Sequence, residues 1–218
     1  MNEKQAIENQ HELSQKVIKK DQFGDVEYLA GVDVAYEKDG DMVIAAITIL
    51  DANTLELLET VTHVEKVFFP YIPGLFSFRE LPSVLKAYQK LQITPDLIIC
   101  DGQGYAHPRR FGLACHLGIE LNVPTIGCAK TRLIGEYSIP ELKRGSFSNL
   151  IDNDEIVGRV LRTQDGIKPV FVSIGHLISI ETASDWVIKA SPEYRLPETT
   201  RSSDHAVKIA MKELKSNL

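Results

Sequence analysis

Two aspartates in this 218-residue chain stand where strand-like runs would bring them together. Asp33 lies inside Gly31-Val32-Asp33-Val34-Ala35, where an ionised carboxylate is costly to bury unpaired. Taken alone it fits a half-exposed strand position or a local salt bridge equally well. Asp101 ends the apolar run 96–100 (DLIIC) and precedes Gly102-Gln103-Gly104. Ligand sites in α/β sheets form at the carboxyl ends of strands, although an Asp beside glycines is also a common turn device. The pair says more than either member. A carboxylate within the first strand and another at the end of a later parallel strand can converge, and converging carboxylates are how Mg²⁺ is held for phosphate chemistry.

Further groups could join such a site. Glu80 completes Ser77-Phe78-Arg79-Glu80, a capping-box pattern. Pro82 would then fall inside the second turn, so a helix starting at Pro82, with Glu80 in the preceding turn, is equally reasonable. His107 precedes Pro108, which suits the first turn of a helix, with Arg109 and Arg110 behind it. Arginines at a helix N-terminus oppose its dipole and hint at an anionic partner. Lys130 follows the run 124–128 at the same sheet edge as Asp101, where it could neutralise phosphate charge or simply be an exposed loop lysine. Asp204 shares a helical face with Val207 and Met211, so it points inward unless it serves the helix N-terminus. Pro70-Tyr71-Ile72-Pro73-Gly74 is a rigid, aromatic loop that could wedge between bases or cover the core. No P-loop, dinucleotide-binding glycine motif or CxxC spacing occurs. His116 reads as a structural histidine in mid-helix.

These residues need a scaffold. Residues 1–20 read as an amphipathic helix with Ile7, Leu13, Val17 and Ile18 on its apolar side. Strands are expected at 26–36, 42–50 and about 55–62, the first two joined by a hairpin turn at Lys38-Asp39-Gly40-Asp41. A helix to about 92 follows, carrying Leu81, Val84, Leu85, Tyr88 and Leu91 on one face. Then come strand 96–100, a helix from Pro108, strand 124–128, strands 155–162 and 169–174, and helices 178–190 and 201–216. The order predicts an α/β fold with a mixed sheet, three antiparallel strands followed by parallel ones, flanked by helices; a ribonuclease H-like sheet is of this kind, though order alone does not fix it. One domain over 1–218 is expected, with a helix over 1–20 and another over 201–218.

Composition narrows the class. Hydrophobic residues at 44% and charged residues at 25% are ordinary globular usage and exclude a disordered tail, a collagen-like repeat and a coiled coil. No run approaches the ~20 apolar residues of a membrane span, and the N-terminus lacks the apolar region of a signal peptide. Cys100, Cys115 and Cys128 sit in apolar surroundings, so reduced thiols and a cytoplasmic location are expected. The net charge of -6 on its own disfavours nucleic acid, but residues 1–66 hold 14 acids and 6 bases while the remainder holds 16 acids and 18 bases. The rest of the chain could still present a basic face.

Four segments taken together carry a resemblance: Gly31–Tyr36, Pro70–Gly74 continuing through Phe78-Arg79-Glu80, Asp101–Arg109, and Gly127-Cys128-Ala129-Lys130-Thr131. In order and over about residues 22–205, they closely resemble the endonuclease V family, the deoxyinosine-specific DNA repair nucleases. The resemblance implies a ribonuclease H-like, Mg²⁺-dependent nuclease, with Mn²⁺ able to substitute. It implies a nick at the second phosphodiester bond 3′ to deoxyinosine, leaving a 3′-hydroxyl and a 5′-phosphate. It makes Asp33 and Asp101 the metal ligands, with Glu80, His107, Lys130 and Asp204 as further catalytic groups. Tyr71, Ile72 and Pro73 become the strand-separating wedge. For a flipped base, Gly74, Leu75, Phe76, Gly102 and Gly104 would form the pocket walls, since glycines let backbone approach a base closely, and Arg109 would contact the substrate phosphate. The C-terminal segment departs from the family pattern at Thr199, where Pro is usual, and at Ser202-Ser203, where apolar residues are. DNA containing deoxyinosine is the expected partner of a monomeric enzyme. The alternatives are an inosine-specific ribonuclease, a catalytically inactive nucleic-acid-binding domain, and a nuclease of broader structure specificity.

Overall fold

The computed structural model describes residues 2–38 and 40–216. Helix α1 (Glu3–Ser14) opens the chain. Strands β1 (Tyr28–Tyr36), β2 (Met42–Asp51) and β3 (Leu57–Lys66) follow as an antiparallel meander. The expected hairpin joins β1 to β2; Asp39, in its turn, lies outside the described residues. Then come α2 (Phe76–Tyr88), β4 (Leu97–Cys100), α3 (Leu113–Leu121), β5 (Thr125–Ala129), β6 (Phe147–Asp152), β7 (Glu155–Leu161), β8 (Val170–His176), α4 (Ile180–Lys189) and α5 (Glu198–Ser216). All eight strands form one sheet in the order β3-β2-β1-β4-β5-β8-β7-β6. β1, β4 and β5 run parallel, as a β-α-β order demands, and the remaining neighbours are antiparallel.

The sheet is covered on both faces, which explains why β2 reads as an almost unbroken apolar run. Ala30, Val32, Ala45, Ile47 and Ile98 pack under α2 and α3 through Leu81, Val84, Ala87, Ala114 and Leu117. On the opposite face, Leu97, Ile99, Ile126 and Val172 pack with Ala183 and Val187 of α4, while Ala46 meets Ala206 and Val207 of α5. The three cysteines are free and buried, and His116 is a buried structural histidine whose Nδ1 lies 3.1 Å from the Ser77 hydroxyl. Among the described residues, no helix is long and apolar enough to cross a membrane.

Several boundaries differ from expectation, each for a tertiary reason. α1 stops at Ser14, and Val17 and Ile18 lie beyond it. There the chain turns across the molecule, and Ile18 donates to His176 Nδ1 (3.2 Å) and Gln22 to the Leu177 carbonyl (3.1 Å). α2 starts at Phe76 and contains Pro82, so Glu80 belongs to the helix body and neither proposed start is right. α3 starts at Leu113, five residues after Pro108, because Arg110 takes a left-handed φ of 56° that no α-helix admits. β6 goes unread in sequence because it is an edge strand burying Leu150 alone.

Candidate active site

Strand register brings the two aspartates together. Val32 and Cys100 are partners across parallel β1 and β4, so the next residues, Asp33 and Asp101, end side by side. The Asp101 N–H donates to the Val32 carbonyl (2.9 Å), and Asp33 Oδ1 accepts from the Val34 N–H (2.8 Å). Burial, and then the negative charge of Asp101, push the Asp33 carboxyl up to about 6. Burial and a neighbouring like charge both oppose ionisation of this carboxyl, burial more strongly.

Three elements add to the pair. From α2, Glu80 Oε1 accepts from the Tyr36 hydroxyl (3.1 Å), and Arg79 stacks 4.8 Å over the Tyr36 ring. Burial pushes Glu80 up to about 7, against the pull of the Tyr36 hydrogen bond. From the end of β5, Lys130 Nζ reaches Asp101 Oδ2 at 2.5 Å. Burial alone would lower Lys130, but Asp101, followed by Asp33 and Asp204, holds it above its ordinary value. From α5, Asp204 pairs with Lys208 and acts electrostatically on both Asp33 and Lys130. α5 comes this close because β1 carries Gly31: a Cβ there would stand 2.1 Å from the Thr199 carbonyl oxygen.

Beside this cluster lies a cleft of about 360 Å³. It shares Glu80, Asp101 and Lys130 with the cluster, and Gly74, Phe76, Gly102, His107, Phe111 and Leu133 also line it. The first turn of α2 opens here without a side-chain cap, leaving helix N–H groups near the wall. Gly74 has φ 79°, a left-handed conformation that favours glycine, and a Cβ there would stand 2.6 Å from Arg109 Nη2 and displace that side chain. Tyr71 is 70% exposed with its ring 4.9 Å from Phe76; Pro73 is exposed and Ile72 half-buried. Of the expected wedge residues, Tyr71 and Pro73 are therefore open to solvent and Ile72 is partly covered.

Other expected contacts sit elsewhere. Leu75 is 1% exposed and belongs to the core. Gly104 is packed against β8, where a Cβ would lie 2.1 Å from the Ile174 carbonyl oxygen, and it does not line the cleft. His107, Arg109 and Arg110 lie in a loop, not at a helix N-terminus. His107 is 5% exposed; burial, and then the charge of Arg109, push it down to about 4 despite a backbone hydrogen bond with Gly74. It is therefore a neutral ring in the cleft wall. Arg109 donates to the Gly74 carbonyl (2.7 Å), and Arg110 is paired with Asp152 and Glu155, both at 2.8 Å. Both arginines are committed to the protein itself. Two residues escaped the sequence reading as site members: Tyr36, although it ends a quoted motif, and Gln10, which gives no local signal because its partners lie 64 and 101 residues away.

Among the described residues, no three His, Cys, Asp or Glu side chains gather into a complete cation cage. Two adjacent carboxylates with hard oxygen donors still fit Mg²⁺, which keeps several waters and uses few protein ligands.

Comparison with known proteins identifies the family and the fold. A family model described as Endonuclease V matches residues 11–205. Endonuclease V of Trichormus variabilis is 52% identical over 201 residues, covering 92% of this chain and 91% of that protein. The crystal structure of Endonuclease V from Streptomyces avermitilis superposes with a TM-score of 0.95 at 46% identity, covering 98% of this chain and 95% of that one. Ciona intestinalis Endonuclease V, solved with a 24mer DNA containing an inosine followed by a ribo-adenosine, gives a TM-score of 0.84 at 27% identity, covering 98% of this chain and 100% of that one. The chain belongs to the endonuclease V family, whose members are phosphodiester-hydrolysing nucleases with this ribonuclease H-like fold.

Proposed function

We propose that this nuclease nicks DNA at the second phosphodiester bond 3′ to deoxyinosine, leaving a 3′-hydroxyl and a 5′-phosphate, and so serves the repair of deaminated adenine. The observation that carries this reading is the junction of the carboxylate cluster with a cleft roomy enough for a base at Glu80, Asp101 and Lys130. The inosine in the DNA of the Ciona complex supports the choice of lesion.

Asp33 and Asp101 would hold Mg²⁺, or Mn²⁺ in its place, which supplies Lewis acidity and charge neutralisation at the phosphate when bound. Lys130 lends positive charge to the phosphate oxygens as charge builds there. Glu80, at about 7, can take or hold a proton near neutral pH, with Tyr36 fixing its Oε1. Asp204 adds to the field on Lys130. The flipped hypoxanthine enters the cleft against Gly74, Phe76 and Gly102, with the neutral His107 ring in its wall. Tyr71, backed by Phe76, fills the gap left in the duplex, and a mispaired base makes the extrusion cheaper.

The test is a cleavage map of an inosine-containing duplex with Mg²⁺, comparing wild type with Asp33→Asn and Asp101→Asn. The variants should lose at least the ~10–100-fold that removal of an outer-shell metal partner costs. Near wild-type nicking by either variant, or nicking that survives EDTA, would sink the metal assignment. The same map on inosine-containing RNA decides between the two polymers.

A further inference from the structure

Gln10 has no part in the chemistry above, yet it is 1% exposed, far deeper than glutamine usually lies. Its amide is committed to distant segments. Nε2 donates to the Gly74 carbonyl (3.0 Å) and the Phe111 carbonyl (2.7 Å), and Oε1 accepts from Arg109 Nε. Gly74 and Phe111 both line the cleft but belong to different stretches of chain, the loop before α2 and the loop before α3. Arg109 Nη2 donates to the same Gly74 carbonyl (2.7 Å), so the two loops and α1 are tied at one point. An amide is planar with two fixed N–H directions, so a single rigid group sets the separation of the two carbonyls.

We propose that Gln10 is a positioning residue for base selection: a buried strut from the N-terminal helix that fixes the spacing of two cleft-lining segments and hence the fit of the flipped base. The proposal rests on the reading of the cleft as the base site. Without the strut, two buried carbonyls lose a partner, and the loops part to hydrate them. The carboxylate pair is held by β1–β4 register, whereas the hydrogen bonds of the Gln10 amide end in the two loops, so the chemical step should survive where base selection suffers.

The experiment is steady-state nicking by Gln10→Met, which keeps the volume and removes the amide, on inosine-containing and matched undamaged duplexes. Thermal unfolding is followed alongside. KM for the inosine duplex should rise about ten-fold or more, the worth of one to two hydrogen bonds, with kcat within about two-fold of wild type. The preference for inosine over undamaged DNA should fall by the same factor as KM rises. Combined with Arg109→Met, the losses should be non-additive, because both side chains hold the Gly74 carbonyl. Glu12→Gln, on the exposed side of α1, should match wild type throughout. A Gln10→Met protein with a lower Tm but unchanged KM and preference would overturn the proposal, since that is how a merely structural amide behaves. If Gln10→Met does not fold, Gln10→Asn, whose amide is too short to reach both carbonyls, is read by the same criteria. Wild-type protein that leaves the inosine duplex intact would remove the base-site reading itself, whereas failure of the strut alone leaves wild-type nicking in place.

Discussion

Asp33 and Glu80 retain protons to about 6 and about 7, well above their ordinary values, because burial and neighbouring charge oppose ionisation. A cation bound by Asp33 must therefore displace a proton as pH falls below about 6. The expected outcome is an apparent cation affinity that weakens up to about ten-fold per pH unit below that point. Nicking measured across pH at limiting and saturating Mg²⁺ checks it: excess cation should move the acid limb to lower pH. A limb that stays put would take Asp33 out of the cation site. The same shifts have a stability consequence of opposite direction. A carboxyl raised in the folded state favours folding below its ordinary value near 4, and that advantage is lost as pH rises through about 6 and 7. Unfolding in EDTA should show it, and added cation should cancel it.

The contact between α5 and β1 positions Asp204, and two substitutions there should move stability in opposite directions. Gly31→Ala drives a Cβ into the Thr199 backbone, which cannot yield as a flexible side chain would. A loss of about 1–3 kcal/mol is expected, at ~2–4 °C of Tm per kcal/mol for a chain of this size, with nicking impaired further because Asp204 shifts with the helix. Thr199→Val should instead stabilise by about 1 kcal/mol, because the buried Thr199 hydroxyl has no partner among the described residues. Thermal melts of the two variants distinguish a tight, specific seat from loose packing. This contact also shows where the sequence stops being informative. The apolar periods of β1, β2 and α2 report burial, so those elements and the position of Asp33 within its strand could be read directly. The start of α3 could not, because the Tyr105 N–H is taken by the Ile174 carbonyl (2.7 Å) and the Gly112 N–H by the Gly104 carbonyl (2.9 Å), tertiary bonds that no local pattern reveals. Gln10 was missed for the same reason, and β6 because an edge strand need not be apolar.

Charge belongs to the whole molecule, and the structure redistributes what the sequence suggested. A net charge of -6 masks a deficit of acids after residue 66, and Arg79, Arg109, Arg110, Lys130 and Arg132 all fall within or beside the matched motifs. All five have partners within the protein: Arg79 donates to the Phe69 carbonyl, Arg109 to that of Gly74 and Arg132 to that of Gly135, Lys130 is paired with Asp101, and Arg110 is paired with two carboxylates. Lys130 and Arg132 line the cleft, and Lys130 is shared with an adjoining groove that also presents Arg201 and Lys208. Binding to DNA should therefore weaken with salt despite the acidic composition, with a slope set by about two to four phosphate contacts rather than by the count of motif arginines. Arg132→Gln should reduce the slope of log K against log salt by about one, while Arg110→Gln should leave it unchanged and cost stability instead. Titration of a labelled inosine duplex from low to physiological salt measures both. Equal effects of the two substitutions on the slope would mean that the ion pairs of Arg110 open on binding, and the path of the strand would then extend to the β6–β7 hairpin.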